Sequence, residues 1–551
     1  MITVFCENNQ NWSDYKFGTN IQQIAQNEGI ELPHPILGAL VNNKVRDLSY
    51  RIHKPCQISF FDITSDFGND MYKRSLYFLL YKVVNELYPE ATLKILHSIA
   101  GGKYCEIDNL SAPLSQQHVS AIKEKMQEYI HADLPYRRIE LPTNQALEEY
   151  QRHGLTEKAN LFKYRKRIYT SIYGLDDTIN YYYGFLIPST GYITIFNVEL
   201  YEKGLLLKLP SQSYPDSLSA TYHLPKLFAI YQEYKKWALQ LGVPYVTEMN
   251  DKVFSGEVGD IIKITEAYHE KKFAQIADEI FDHPDVKMIL ISGPSSSGKT
   301  TTCKRLSIQL AILGYDPVQI SVDDFFVERV NTPKDEKGEY DFESIDTIDL
   351  ELFNSTLLQL MDGNEVQLPT FDFVKGSKIW NGKRAKMKPK SILIIEGIHC
   401  LNPKLTEKVS DDLKYKVFVS ALTSISIDSQ NPIPTTDNRL IRRMIRDYQY
   451  RGYSALDTLR RWHSVRNGEN KNIFPYQENA DVMFNTALIY ELGILKPYAL
   501  PILRDVPETE PEYAEARRLL KFLSYFKTIS TNVIPGTSIL REFVGGSQFH
   551  Y

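Results

Sequence analysis

The stretch ILISGPSSSGKTT, at residues 289–301, combines residue types that bind phosphate. Gly293, Gly298, Lys299 and Thr300 fit the pattern G-x-x-x-x-G-K-[ST] between an apolar strand and a helix-forming run. Glycines let backbone N–H groups wrap around a phosphate, the lysine reaches the β- and γ-oxygens, and the threonine hydroxyl can bind Mg²⁺. The pattern predicts a nucleotide-binding loop without separating kinases from ATPases or GTPases. The residues predicted to bind ATP are Gly293, Pro294, Ser295, Ser296, Ser297, Gly298, Lys299, Thr300 and Thr301.

Three carboxylates follow two apolar strands further along the chain. Asp323 and Asp324 come after PVQISV, and Glu396 ends SILIIE. Ligands of an open parallel sheet bind beyond the carboxyl ends of the strands, so these side chains are expected at the same crevice as Thr300. One carboxylate there can accept a proton from a hydroxyl group, and another can hold Mg²⁺ directly or through water. The alternatives are that an aspartate caps the next helix or that Glu396 is structural.

The segment DNRLIRRMIRDYQYRG, at residues 437–452, is rich in arginine. Its arginines share one face of a predicted helix or lie just beyond it: Arg439, Arg442, Arg443, Arg446 and Arg451. Only Asp437 and Asp447 lie close in sequence to offset them. An external polyanion is therefore a plausible partner, and a helical lid of this kind could neutralise charge as phosphate is transferred. The alternative is a solvated charged helix.

Two aromatic residues lie between the carboxylates, in LPTFDFVKGSKIW at residues 368–380. Phe371 and Phe373 are two residues apart, so an extended segment places them on one side. Such rings can stack on a nucleobase, and the alternative is ordinary core packing.

The elements around these residues predict an α/β fold. From residue 286, strands and helices alternate through VKMILIS, PVQISV, SILIIEG and YKVFVS, as in a parallel sheet with helices on both faces. The predicted domains are a small mixed module at 1–62, an α+β region at 63–255, a linking helix at 256–284, the phosphate-loop domain at 285–500 and a helical extension at 501–551.

Composition excludes several classes of protein. The 551 residues carry a formal net charge of −5, which gives no global reason to expect a nucleic acid or an anionic membrane as partner. The five scattered cysteines indicate neither a disulfide framework nor a zinc ribbon. We find no signal peptide and no run of about 18 apolar residues. These features predict a cytoplasmic protein that does not enter a membrane.

Seven ordered blocks at about 286–490 resemble the uridine kinase/phosphoribulokinase family of P-loop kinases. They are GPSSSGKTT, VDDFF, EYDFESIDTID, LPTFDFVKGSK, IIEGI, DNRLIRRMIRDYQYRG and NADVMF. The resemblance implies ATP and Mg²⁺ as co-substrate and cofactor, with a nucleoside as acceptor. It assigns catalysis to Asp323, Lys299 and Arg446, and the metal site to Thr300, Asp323 and Glu396. It also implies an ATP contact from Arg451 and a substrate pocket formed by Phe326, Glu343, Phe371, Phe373 and Arg443.

The chain departs from that family at three positions. Glu343 stands where members that use uridine or cytidine carry an aspartate for the ribose hydroxyls, and Tyr453 replaces a second lid arginine. Gly376 replaces a histidine that reads the base. A glycine there predicts a wider pocket beside Phe371 and Phe373, with weak discrimination among pyrimidines or acceptance of a bulkier purine. The alternative is that Lys375 or Lys378 reads a carbonyl of the base, which keeps uridine as a substrate.

The N-terminal part resembles different proteins. Residues 1–62 resemble the β-grasp TGS module, and KRSLYFLLYKVVNELYP through HSIAGGKYCEIDNLS resembles the second additional domain of threonyl-tRNA synthetases. That domain edits mischarged tRNA with an H-x-x-x-H pair, for which this chain has Arg74 and Phe78. The resemblance therefore implies a region without editing activity or zinc.

The sequence supports a nucleoside kinase as the leading hypothesis. The alternatives are a kinase of another small alcohol or sugar phosphate, and a nucleotide-gated RNA-binding or regulatory protein whose N-terminal half contacts nucleic acid. The acidic net charge disfavours an extended RNA surface. We expect a homo-oligomer.

Overall fold

The computed structural model describes residues 1–165, 167–334, 338, 340–372 and 375–551. It begins with a five-stranded mixed sheet in the order β2-β1-β5-β3-β4, packed against one helix. Its elements are β1 (Ile2–Cys6), β2 (Asn11–Tyr15), α1 (Ile21–Asn27), β3 (Gly38–Val41), β4 (Val45–Arg46) and β5 (Cys56–Phe61). Helix α1 starts where the Asn20 side chain accepts a hydrogen bond from the Gln23 N–H, and it buries Ile21 and Ile24. The predicted β-grasp arrangement is confirmed.

Two antiparallel sheets and six helices follow, as the predicted α+β region requires. The elements are α2 (Asp66–Leu87), β6 (Thr92–Ile99), β7 (Gly102–Asp108), α3 (Gln116–His131), β8 (Tyr136–Pro142), α4 (Thr143–Arg152), α5 (Thr156–Phe162), β9 (Tyr169–Leu175), β10 (Thr178–Asn180), β11 (Asn197–Tyr201), β12 (Gly204–Lys208), α6 (Pro225–Gln240) and α7 (Val246–Phe254). The sheet orders are β11-β12-β7-β6 and β10-β9-β8. Helix α2 is the centre of this core, where Leu76, Leu79 and Val83 are fully buried.

A parallel sheet organises the remaining chain in the order β14-β19-β13-β20-β23. The elements are α8 (Val258–Phe281), β13 (Met288–Ser292), α9 (Lys299–Ile312), β14 (Asp316–Ser321), α10 (Leu350–Met361), β15 (Val366–Gln367), β16 (Thr370–Asp372), β17 (Ser377–Ile379), β18 (Arg384–Ala385), β19 (Ser391–Glu396), β20 (Lys414–Ser420), β21 (Ser426–Asp428), β22 (Asn431–Pro432), α11 (Thr435–Tyr450), α12 (Ala455–Asn472), β23 (Val482–Asn485), α13 (Glu491–Arg504), α14 (Tyr513–Leu523) and α15 (Arg541–Val544).

These strands are continuous apolar runs because helices pack against both faces of the sheet. Along β13, Ile289 and Ile291 point into one hydrophobic cluster, whereas Met288 and Leu290 point into another. Each cluster contains residues of the neighbouring helices. The predicted α/β class with a parallel sheet is confirmed.

One of these clusters crosses the predicted domain boundaries. Tyr150 and Phe162 from the synthetase-like region share it with Phe273 of α8, Ile289 of the parallel sheet and Phe522 of α14. Predicted boundaries at 62, 255, 284 and 500 stay predictions, and the last of them falls inside α13. The halves of the chain are therefore joined by continuous apolar packing.

Buried polar contacts join the same halves. Lys158 of α5 forms an ion pair with Asp428 of β21, and both side chains are 1% exposed. The Ile95 N–H of β6 donates a hydrogen bond of 2.8 Å to the Ser429 carbonyl oxygen. Loss of either partner of a buried ion pair leaves an unpaired buried charge, so this junction depends on both side chains.

Candidate active site

The phosphate loop, residues 293–298, connects the buried strand β13 to helix α9. A side chain on Gly293 would place its Cβ 2.0 Å from the Val419 carbonyl oxygen, so the loop passes too close to β20 for any larger residue. Gly298 has a φ of 86°, the left-handed conformation that glycine adopts without strain. The sequence pattern therefore forms the strand, loop and helix that it predicts.

The first residues of α9 face the carboxyl edge of the sheet. Lys299 Nζ lies 3.3 Å from the Pro294 carbonyl oxygen, across the mouth of the loop. Thr300 Oγ1 donates to Glu396 Oε1 at 3.4 Å, and Ser321 Oγ donates to the same oxygen at 3.1 Å. The register aligns Ser321 with Glu396 on neighbouring parallel strands. Two strand ends and the phosphate loop therefore converge, as predicted.

Charge accumulates at this edge. Burial, followed by the charge of Asp323, raises the pKa of Glu396 to about 7 against the opposing charge of Lys299. The charges of Asp323 and Glu396 act on each other at this edge, and carboxylates that lie close together favour a divalent cation. The donor set of Thr300, Asp323 and Glu396 consists of oxygen atoms, which Mg²⁺ prefers. The residues present therefore fit the predicted metal.

Asp323 and Asp324 have different surroundings. Both lie in a short 3-10 turn directly after β14. The Asp324 carboxylate accepts the Phe371 N–H at 3.3 Å and lies 3.5 Å from Lys383 Nζ. Asp324 thus anchors the β16–β17 hairpin, whereas the charge of Asp323 acts on the Glu396 carboxylate.

Glu343 lies against α12 beside the phosphate loop. A Cβ on Gly468 would come within 2.3 Å of Glu343 Cβ, so glycine is required where the helix passes. Burial raises the pKa of Glu343 to about 7, and the positive charge of Arg443 is the main effect that acts to lower it. Glu343 is thereby placed close to the loop and the arginine helix, where the resemblance predicts a substrate contact.

The arginines of α11 fall into two groups. Arg439 and Arg442 are buried in ion pairs with Glu469 and Glu491 respectively. This corrects the sequence-based argument that the face is uncompensated, because the partners lie 30 and 49 residues away along the chain. These two side chains are therefore paired within the fold and do not form a binding surface for an external polyanion.

The second group surrounds Asp447. Arg446 donates to Asp447 Oδ1 from Nε at 3.0 Å and from Nη2 at 2.8 Å, while Arg443 Nε and Arg451 Nε lie 3.2 and 3.7 Å from that carboxylate. Burial acts to raise the pKa of Asp447, but the three arginines together lower it. Arg446, followed by burial, lowers the pKa of Arg451 to about 10, against the opposing charges of Asp447 and Asp323. Three arginines therefore cluster around Asp447, and the charge of Asp323 acts on one of them, Arg451.

Arg443 and Glu469 both contact the phosphate loop through Ser295. Arg443 Nη1 donates to Ser295 Oγ at 2.9 Å, and the Ser295 N–H donates to Glu469 Oε1 at 3.0 Å. Glu469, a residue of α12 that also binds Arg439, was not among the residues predicted from the sequence, because no local pattern marks it. The loop is therefore braced by both helices of the arginine-rich segment.

The predicted aromatic pocket is described in part. The rings of Phe326 and Phe371 are 5.5 Å apart at an angle of 72°, and Phe371 is buried. Phe373 lies outside the described residues. The wide space expected beside Gly376 is occupied: a Cβ on Gly376 would lie 2.8 Å from both Cβ and Nε of Arg329. The sequence-based expectation of an open pocket is therefore wrong at this position.

The positions that the resemblance compares with editing histidines lie in packed surroundings. Arg74 Nε donates to the Phe185 carbonyl oxygen at 3.1 Å, beside Gly184. Phe78 is fully buried, with its ring 5.6 Å from that of Tyr182 and 6.0 Å from that of Tyr136. Phe78 therefore belongs to the core around α2, and Arg74 is held at its edge by the Phe185 carbonyl.

Comparison with known proteins divides the chain in two. The model of the "Phosphoribulokinase / Uridine kinase family" matches residues 288–489. A uridine kinase of Ligilactobacillus salivarius is 26% identical over 197 residues, which are 36% of this chain and 83% of that kinase. A uridine kinase of Mycoplasma genitalium is 29% identical over 178 residues, 32% of this chain and 74% of that kinase.

The N-terminal half is similar to a different protein. A threonine--tRNA ligase of Acetivibrio thermocellus is 28% identical over 186 residues, or 34% of this chain. The match spans 29% of the length of the ligase. Both resemblances inferred from sequence blocks are confirmed. Among the described residues, no helix is both long and apolar enough to cross a bilayer.

Proposed function

We propose that this chain is an ATP- and Mg²⁺-dependent kinase that transfers the γ-phosphoryl group to the 5′-hydroxyl of a nucleoside. The observation that carries the proposal is the convergence of Thr300, Glu396 and Asp323 at one edge of a parallel sheet. The kinase family matched by residues 288–489 supports the same chemistry.

In this proposal the phosphate loop binds the triphosphate. N–H groups of residues 293–298 and of the first turn of α9 face the phosphates, and Lys299 moves from its contact with the Pro294 carbonyl to the β/γ oxygens. Thr300, Asp323 and Glu396 would hold Mg²⁺, which supplies charge neutralisation between the phosphates when bound.

Asp323 serves as general base. Its carboxylate would accept the proton of the acceptor hydroxyl as the phosphoryl group transfers, because its charge acts both on Glu396 of the metal-binding edge and on Arg451 of the arginine group. Arg443, Arg446 and Arg451 add positive charge where negative charge shifts during transfer. Phosphoryl transfer depends mainly on such positioning and neutralisation.

The acceptor pocket is proposed to lie between the Phe326–Phe371 pair and Glu343. Aromatic rings favour a flat nucleobase, and a carboxylate favours ribose hydroxyls. Arg329 packs over Gly376, the position of the missing histidine, so its side chain fills the space where that histidine would read the base.

The test is an acceptor panel with the full chain. ADP release is followed with Mg-ATP and uridine, cytidine, inosine, guanosine, adenosine, simple sugar alcohols or sugar phosphates. We expect ADP release that depends on a ribonucleoside, together with a product that is heavier than this acceptor by one phosphate. The Lys299→Ala variant should give neither the ADP release nor the product. Release with sugar acceptors alone would refute the nucleoside assignment, and release without any acceptor would indicate an ATPase.

We also propose that the protein is cytoplasmic and forms a homo-oligomer. Cell fractionation tests the location, and sedimentation velocity tests the oligomeric state.

A further inference from the structure

The C-terminal strap, defined here as residues 531–551, packs against the phosphate loop. Its side chains Ile539, Leu540 and Phe543 are fully buried. A Cβ on Gly298 would lie 2.9 Å from Ile539 Cγ2, and the Arg442 guanidinium lies 5.1 Å from the centre of the Phe543 ring. The strap is thus packed against the phosphate loop and against the arginine-rich helix α11.

Glu542 of the strap contacts the first turn of α9. Its Oε2 accepts the Thr301 hydroxyl at 2.6 Å and also lies 3.4 Å from the Thr301 N–H. The Tyr551 hydroxyl lies 2.8 Å from Thr301 Oγ1, and its ring is 5.8 Å from Lys304 Nζ. Thr301 has no exposed surface. The N–H and the hydroxyl of Thr301 are therefore both covered by the strap.

Thr301 is among the residues that would bind nucleotide. N–H groups in the first turn of a helix that follows a phosphate loop are anion sites, because they lack partners within the helix and carry the positive end of its dipole. In this molecule one such N–H already faces an anion, the Glu542 carboxylate. A phosphate brought to the same turn meets a like charge and a covered hydroxyl.

We propose that Glu542 competes with the nucleotide for the first turn of α9, so that nucleotide binding requires the strap to move. This inference rests on the proposed function only in taking residues 293–301 as the nucleotide site. The opposite possibility is that Glu542 orders Thr301 for the nucleotide. The two differ in sign, because competition predicts that removing the charge strengthens binding, whereas ordering predicts that it weakens binding.

Nucleotide binding by the full chain, measured by calorimetry with Mg-ADP and a non-hydrolysable ATP analogue, decides between them. The Glu542→Gln variant keeps the shape and the acceptor oxygen but removes the charge, and we expect its Kd to fall about tenfold or more. Glu508→Gln is the matched control, since that carboxylate contacts Lys44 and Tyr513 instead. We expect the control to bind as wild type does. An unchanged or higher Kd in Glu542→Gln would overturn the proposal.

Hydrogen exchange of the wild-type chain gives a second readout that needs no variant. We expect Mg-ADP to increase exchange in residues 539–549, since the strap is displaced, while exchange in the phosphate loop decreases. Protection of the strap by Mg-ADP would contradict displacement.

The results distinguish failure of the proposed function from failure of the strap proposal. If the chain binds nucleotide but does not transfer phosphate to a nucleoside, only the proposed function is refuted. If wild type and Glu542→Gln bind nucleotide identically, only the role of the strap is refuted. Absence of nucleotide binding in both chains would refute both.

Discussion

Replacing Glu469 by glutamine should destabilise the phosphate-loop region strongly. Glu469 and its partner Arg439 are each 1% exposed, and the second oxygen of Glu469 accepts the Ser295 N–H at 3.0 Å. Removing one partner of a buried ion pair costs about 3–5 kcal/mol, because the other charge stays buried and unpaired. The Trp462 ring, 5.5 Å from the Arg439 guanidinium, offsets part of this, so we expect a loss of about 3 kcal/mol.

Thermal unfolding measures the effect. A chain of 551 residues need not unfold in one step, so the transition to follow is the one that Mg-ADP shifts. We expect the midpoint of that transition to fall by about 5 °C or more in Glu469→Gln. The exposed carboxylate Glu508 provides the control, and Glu508→Gln should melt within about 1 °C of wild type.

A double variant tests the cause. Adding Arg439→Met to Glu469→Gln removes the unpaired charge, so the double variant should be more stable than Glu469→Gln alone. The reasoning is refuted if Glu469→Gln melts like wild type. It is equally refuted if the two substitutions destabilise additively, because additive effects would mean that the pair is not coupled.

Four residues or segments give further predictions. Lys299→Ala should reduce turnover at least about 10²-fold in an ADP-release assay, since charge on the β/γ oxygens is lost, and wild-type turnover would exclude this loop as the site. Asp323→Asn should lower kcat about 10²-fold while calorimetry shows retained ATP affinity; a joint loss would make Asp323 chiefly a metal ligand. Arg446→Ala should lower kcat more than it raises the KM for nucleoside, and equal values would leave the arginine without a role in transfer. Deleting 1–255 should give an insoluble product, because Tyr150 and Phe162 lie in the cluster that lines the parallel sheet; a soluble, active product would show that the halves fold separately.

Local patterns made most of the parallel sheet predictable. Strands such as β13 and β19 are continuous apolar runs, and the phosphate loop is defined by residues adjacent in sequence, so neither requires knowledge of distant contacts. The carboxylates at strand ends follow from the same reasoning, since parallel strands bring their carboxyl ends to one edge. Glu396 and Thr300 meet there as expected.

Partners that are distant in sequence explain what could not be predicted. Arg439 and Arg442 looked uncompensated because Glu469 and Glu491 join them only in the folded chain. Gly376 suggested an empty space because nothing in its neighbourhood reveals that Arg329 packs over it. Glu542 reaches Thr301 across 241 residues, a contact that no local pattern in the sequence reveals. Each error concerns which side chain fills a position, not which backbone element forms.

The apolar cluster shared by both halves has a consequence for biosynthesis. Tyr150 and Phe162 leave the ribosome well before Phe522 and the strap residue Ile539, with which they share that cluster. Chains generally begin to fold from the N-terminus while translation continues, so these apolar surfaces stay open until the later segments arrive. A ribosome that stalls after the parallel sheet would therefore hold a nascent chain with exposed apolar surface, a target for chaperones. Slow translation of the region after residue 425 should lower the yield of folded protein more than slow translation of residues 1–60, whose sheet has a separate core.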